Sequence, residues 1–493
     1  MKPSPMTLVM NSGATPPHPA AVQVPSAARP LRLLAVLVSA TVLGGCASFS
    51  PDGGFAAVER TVRDRLGKDL QWSRSDADQD SIAKRVGDLL SKPLTADDAV
   101  QVALLNNRGL QATFQDLGIG EAEVVQAGRL PNPGFSFGRS SRGDEREIER
   151  SLHFNIARLI AMPFIGQMEA RRFEQTKGMV AMSVLSVAAD TRKAYYNALA
   201  AEETVRYMQK VKQTADASAE LARRMERVGN FNKLQRAREQ VFYADAALNL
   251  ARAERAQRAT RERLTRLLGA WGGQTQFSLP ERLPDLPKEA LDLPDVERVA
   301  LAQRLDVQGA KLAAEQTAKN LGLTRTTRFI NVLELGIRNN SANEMPTQRG
   351  WEIGVELPLF DWGGARVARA EAVYMQTVHR AAETAINARS EVREAYTGYR
   401  SAYDIARHHR DEIVPLGQRI AEENQLRYNG MLIGVFELLA DARSQIASVN
   451  AAIQAKRDFW IAQADLDMAL IGKPSLSAAA GPSMALDVAG PGH

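Results

Sequence analysis

The sequence holds a single cysteine, Cys46, in 493 residues. No internal disulfide can form, so nothing covalent cross-links the fold. Histidine is scarce, six in all. The one adjacent pair, His408-His409, has no histidine or cysteine a helical turn further on. Neighbours on a helix face different ways, so no metal site is expected. Runs of roughly 18 apolar residues, the length of a membrane-spanning helix, are absent. Gly118-Ile119-Gly120 starts like a dinucleotide loop, but Glu123 stands in place of the last glycine and no strand precedes it. No nucleophile, base and metal set clusters anywhere, so no enzyme, catalytic residue or cofactor is expected. A marked charge of one sign is lacking too. The formal net charge is +5, but Lys2, Arg29 and Arg32 lie in residues 1–45, which contain no acid. Without them 59 basic residues face 57 acidic ones. Interspersed, nearly balanced charge describes a solvated surface and gives no reason to expect nucleic acid.

What is present begins at the N-terminus. Arg29 and Arg32 precede the apolar stretch Leu33 to Leu43, too short to span a bilayer and suited to a signal peptide. It closes on Leu43-Gly44-Gly45-Cys46, the spacing of a bacterial lipobox. Residues 1–45 are therefore read as a lipoprotein signal peptide. Cys46 is expected to carry a covalent lipid, and 46–92 to form a lipid-anchored arm containing a short helix and Trp72.

The rest is one unit written twice. Met162 to Arg172 parallels Leu357 to Val367, and Ala103-Leu104 parallels Ala300-Leu301. Further on, Ala237 to Gln240 parallels Ala442 to Gln445, in the same order. The repeats are placed at 93–272 and 294–472, with a proline-rich connector at 273–293 and a disordered tail at 473–493. Each repeat reads helix, strand, strand, long helix, turn, helix. Helices are expected at 94–128, 167–228 and 233–268, then at 294–323, 364–428 and 435–471. Strands are expected near 133–139, 149–161, 327–338 and 350–360. Pro415 should interrupt the second long helix. Small residues from Val180 to Met208, and from Ala370 to Ala388, alternate by four and three, the spacing of coiled-coil packing.

The strands are one-sided. Trp351, Ile353 and Val355 are apolar, and the residues between them are not. Leu152, Phe154 and Ile156 alternate with His153 and Asn155, and Leu333, Leu335 and Ile337 with Glu334, Gly336 and Arg338. Four strands cannot close a transmembrane barrel, which takes about eight or more. An open edge in lipid leaves backbone groups unsatisfied. Several chains are therefore expected to pool their strands. The strand ending near Phe360 would run directly into a helix because one wall continues out of the bilayer. Asp361 can cap that helix, and Gly363-Gly364 permit the bend.

Over roughly residues 93–472 the chain resembles the TolC-like outer-membrane efflux channel family (outer-membrane factors), in its lipoprotein branch. The resemblance rests on LTADDAVQVALLNNRGLQA, RLPNPGFSFG, ELPLFDWGGARVARAEA and RYNGMLIGVFELLADARSQ. It implies a mixed, mainly α fold with four transmembrane strands and long coiled-coil helices per chain. It further implies a homotrimer, with a 12-stranded β-barrel continued by a 12-helix α-barrel. Such a channel sits in the bacterial outer membrane, in contact with its lipid, and extends into the periplasm. A periplasmic adaptor (membrane-fusion) protein and an inner-membrane pump would be its partners.

The resemblance also singles out the helix–turn–helix tips. Gly229 and Asn230 in the first, and Gly430 and Gly434 in the second, are the expected adaptor-docking residues. Glu437, and less directly Asp441, are the pore-aperture candidates; Ala440 stands where the family often has a second aspartate. Arg227 and Arg427 precede the two turns. They are read as locks that pair with tip acids, or else as cations favouring a helix C-terminus. The alternative function is a non-conducting, lipid-anchored coiled-coil scaffold of the periplasm.

Overall fold

The computed structural model describes residues 48–327, 333–355 and 359–474. Cys46, the 1–45 segment and nearly all of the 473–493 tail lie outside them.

The N-terminal arm holds α1 (Phe55–Leu66) and α2 (Asp76–Leu90). Ser75 and Asp78 form a reciprocal capping box that fixes where α2 starts. The arm lies along α3 (Ala96–Asn106), α4 (Arg108–Ala127) and the first of the very long helices. Val58, Val62, Leu70 and Trp72 are buried there with Leu104, Phe114 and Val184. Trp72 meets the Phe55 ring at 5.8 Å, and the Arg74 guanidinium lies over it at 3.8 Å. Gly120 makes a close helix–helix packing: a Cβ there would come within 3.0 Å of the Phe173 ring. Gly118 and Gly120 both lie inside α4, so this segment is helix and not a phosphate loop.

Strands β1 (Gly134–Arg142) and β2 (Glu145–Asn155) form a hairpin turning at Gly143, whose φ of 62° suits glycine. Helix α5 (Ile156–Arg227) follows, 72 residues and roughly 108 Å long at 1.5 Å per residue. It starts eleven residues earlier than the sequence pattern suggests. The Asn155 side chain accepts from the Arg158 N–H at 2.7 Å, which opens the helix, and the helix then runs through Pro163. Ile156 is therefore a helical residue and not the end of a strand face. Helix α6 (Lys233–Leu268) returns along α5.

The second repeat holds α7 (Val296–Gln303), α8 (Leu305–Thr327), β3 (Leu333–Ala342), β4 (Gln348–Val355) and α9 (Gly364–His408). A π-helical turn, His409–Ile413, leads to α10 (Val414–Asn429) and α11 (Val435–Ile471). Pro415 sits in the first turn of α10, and the backbone just before it stays helical, with Ile413 at φ −66° and ψ −49° and the Val414 N–H bonded to the His409 carbonyl. The expected interruption therefore takes the form of one wide turn just before it. Gly363, not Asp361, is the N-cap of α9, at φ 74°; Asp361 accepts from the Gly363 N–H at 2.8 Å.

The first helix of each repeat is broken at the same place. Asn107 caps α4 and also donates to the Leu267 carbonyl at 2.9 Å. Its counterpart, Arg304, is 1% exposed and pairs with Asp306 at 2.7 Å and Glu391 at 2.6 Å. The connector is pinned across the second repeat. Tyr403 donates to the Lys288 carbonyl at 2.8 Å, Tyr399 accepts from Leu291 N–H at 3.0 Å, and Lys456 pairs with Asp285 at 2.8 Å.

The four strands make one antiparallel sheet in the order β1-β2-β3-β4. Register aligns Phe135, Leu152, Ile337 and Trp351 across it, and Phe154, Leu335 and Ile353 in the next apolar row. Residues directly opposite share a face, so the one-sided strands merge into one apolar face. Phe135, Ile337, Trp351, Ile353 and Val355 are exposed on it. Among the described residues no helix is long and apolar enough to cross a membrane, which says nothing of strands.

Candidate functional site

At the far end of the long helices from the sheet lie two turns. In the first, the Asn230 N–H reaches back to the Met225 carbonyl at 2.9 Å, and the Gly229 N–H to Glu226 at 3.0 Å. Gly229 takes φ 80°. That pair of hydrogen bonds closes a helix whose following residue is left-handed. Asn232 then caps α6 in a capping box with Gln235. Arg236 pairs with Glu226 across the turn at 2.7 Å.

The second turn has the same plan with different residues. The Leu432 N–H bonds the Arg427 carbonyl at 2.8 Å, and the Met431 N–H bonds Tyr428 at 3.0 Å. The left-handed residue is Met431, at φ 59°. Gly430 sits at φ −81°, and Gly434, at φ −84° and ψ 161°, is the N-cap of α11. Neither glycine takes the left-handed position of the reversal. Both turns take the same number of residues from helix end to N-cap, Arg227 to Asn232 and Asn429 to Gly434.

Both tips expose apolar side chains. Val228, Leu234, Leu426 and Leu432 are open to solvent, and Met431 is 93% exposed. The acids behave differently. Glu437 lies exposed in the first turn of α11, with no hydrogen bond or ion pair among the described residues. A first-turn carboxylate is favoured by the helix dipole. Asp441 is half-buried and accepts from the Asn424 side chain on α10. Ala440's side chain lies outside the description.

Within the protomer the two arginines pair with neither acid. Arg427 pairs with Glu423 on its own helix at 3.4 Å. Arg227 is exposed, without a salt bridge among the described residues. It adds to the positive field that holds Glu220 below its ordinary value, after the Arg224 hydrogen bond, which acts most strongly.

The structure instead ties the two hairpins together through a residue that sequence reasoning missed. Glu239 on α6 is 1% exposed. It accepts from Ser218 on α5 at 2.8 Å and from Arg443 on α11 at 3.3 Å. Arg443 also covers the Phe242 ring at 4.4 Å. This ties the start of α11 to the tip end of the α5–α6 hairpin, so both tips lie at one end. No local motif marks a pair this far apart in sequence. The only hint is that the repeated AREQ and ARSQ segments carry both members.

His408 pairs with Glu412 at 3.3 Å, and burial, then the His408 charge, lowers the basicity of His409. Among the described residues no group of three or more histidine, cysteine, aspartate or glutamate side chains converges.

The long helices, the two tips and the single four-stranded sheet can be compared with known proteins. No family model matches the chain. The solved structure of CusC, described in terms of transmembrane channel formation, superposes with a TM-score of 0.63 at 18% identity. It covers 79% of this chain and 92% of that one. The CmeC outer-membrane channel of Campylobacter jejuni gives 0.62 at 17% identity, over 79% and 85%. The chain has the fold of the TolC-like outer-membrane channels. A curated relative, the cobalt-zinc-cadmium resistance protein CzcC of Cupriavidus metallidurans, is 25% identical over 282 residues. That match spans 55% of this chain and 64%, under two thirds, of the relative. The mainly helical architecture with a small antiparallel sheet agrees with the fold expected from the sequence.

Proposed function

We propose that this chain is the outer-membrane duct of a tripartite efflux system, built as a homotrimer. The observation that carries the reading is the sheet. It has one exposed apolar face and two edge strands, β1 and β4, each paired on one side only, and at the ends away from the hairpin turns the chain leads to or from the helices α4, α5, α8 and α9. Such a sheet is stable in lipid only if its edges are closed by further copies. Three chains give twelve strands, within the range of known barrels. β4 runs opposite to β1, so neighbouring chains would meet as an antiparallel pair.

The helical tips would then face a periplasmic adaptor, offering the exposed apolar residues of both turns, and an inner-membrane pump would lie beyond. A lipid on Cys46 would add a second hold on the membrane. The arm supports this: the Ser50 N–H bonds Glu121 at 2.6 Å, in the last two turns of α4 before the chain enters the sheet. The described chain thus begins at the level of Phe173 on α5, whereas α2 packs further along that helix, beside Tyr195. The relative's name puts cobalt, zinc and cadmium first among the solutes to test.

The non-conducting scaffold accounts for the helices and the anchor but leaves the apolar sheet face uncovered. Purified protein in planar bilayers decides between them. Stepwise ion-conducting openings are expected. A well-folded trimer that inserts and passes no current would leave the scaffold standing.

A further inference from the structure

The two faces of the sheet differ in charge as well as in polarity. On the apolar face, the row beyond Phe135–Leu152–Ile337–Trp351 reads Phe137–Arg150–Asn339–Arg349. The next rows toward the hairpin turns add Arg139 and then Arg146. All four arginines are exposed, and none has an ion pair among the described residues. No acid shares that face of the strands. The opposite face carries Glu145, Glu147, Glu149, Glu334 and Glu352 against Arg142 and Arg338. There the charges are partly neutralised, since Glu352 pairs with Arg338 and approaches His153 at 3.4 Å. The alternation is written into β2 as Glu-Arg-Glu-Ile-Glu-Arg.

On a merely solvated surface both signs would be mixed on each face. Here unpaired guanidinium groups stand directly beyond an apolar band and its aromatic border of Trp351, Phe135 and Phe137. Aromatic side chains mark the level where hydrocarbon gives way to headgroups. Guanidinium matches phosphate in shape and charge.

We infer that Arg139, Arg146, Arg150 and Arg349 form a collar that binds the phosphate groups of the outer-leaflet glycolipid. The inference rests on the barrel reading, which turns the apolar face to lipid and the hairpin turns to the exterior. The leaflet at that level of a Gram-negative outer membrane is a phosphorylated glycolipid, so the collar and the leaflet are complementary in charge.

The test uses the intact protein in detergent, with lipid A as probe and native mass spectrometry counting bound lipid. Wild type should retain diphosphorylated lipid A in preference to dephosphorylated lipid A and to phosphatidylglycerol. The double variant Arg150→Gln/Arg349→Gln should bind it about thirtyfold more weakly, and Arg142→Gln, on the other face, should bind as wild type does. Equal binding of the phosphorylated and dephosphorylated forms by wild type overturns the collar, and this comparison needs no variant to fold. Equal binding of phosphatidylglycerol overturns the glycolipid assignment in favour of any anionic leaflet. A wild type that conducts in planar bilayers but ignores the phosphates sinks the collar alone; one that inserts without conducting sinks the channel reading.

Discussion

Met431 is the one non-glycine residue with a left-handed backbone among those described. Holding an L-residue there costs about 1–2 kcal/mol. Its counterpart in the first tip, Gly229, escapes that cost. Met431→Gly should therefore stabilise the second turn by about 1 kcal/mol, allowing for the entropy glycine loses on ordering. The readout is slower hydrogen exchange at the Leu432 amide, which bonds the Arg427 carbonyl. Unchanged or faster exchange would mean the strain is not real. If the exposed methionine serves docking, the same variant should bind adaptor less well while its turn tightens. The sequence made the first turn legible through Gly229-Asn230. In the second, glycines at 430 and 434 flank the left-handed position without occupying it. The pairing of Glu239 with Arg443 was not legible, because a contact between two repeats leaves no local pattern beyond the repeated segments that carry its members.

At the scale of elements, the arm is held by acids whose affinity for protons is lowered in the fold. The Ala56 backbone N–H acts most strongly on Asp52, the Arg85 hydrogen bond on Asp69 and the Ser75 hydroxyl on Asp78. Burial pushes Asp97 up, but Arg192 and Lys68 together outweigh it. A carboxylate whose folded value lies below its unfolded value of 3.8 stabilises the fold above that pH. The stabilisation is lost as pH falls from 3.8 through the folded values. The arm should therefore loosen below about pH 3.8, ahead of the α5–α6 hairpin. Limited proteolysis with an acid-active protease would show cleavage within residues 48–92 first. Cleavage beginning in the long helices instead would refute it. Helix identity and order were legible because small-residue seams persist over many turns; Val180, Val184, Thr191 and Ala198 are buried as their spacing implies. Boundaries were not, where a single side chain decides them. Asn155 starts α5 before Pro163, and Asn107 and Arg304 each break a helix that apolar periodicity runs straight through.

At the scale of the whole molecule, the sequence showed one-sided strands but not their shared register, which depends on pairing between repeats. Closure then makes separate demands on each end. At the tips, three copies of Glu437 around an axis would form a ring that attracts cations. Glu437→Ala should change single-channel conductance or cation preference; no change in either removes Glu437 from the aperture. At the sheet, each edge strand pairs on one side only within the protomer, so half of the amides in β1 and β4 point away from their partner. Left open in lipid, every one of those groups would be unsatisfied. A closed barrel bonds them to the next chain. In the native particle, all backbone amides of Gly134–Arg142 and Gln348–Val355 that lie within the pairing should resist hydrogen exchange alike. Dissociated chains should show alternate protection, slow at amides bonded to β2 or β3 and fast at those between. Alternate protection in the native particle itself would mean that the edges stay open, and the trimeric barrel could not be correct.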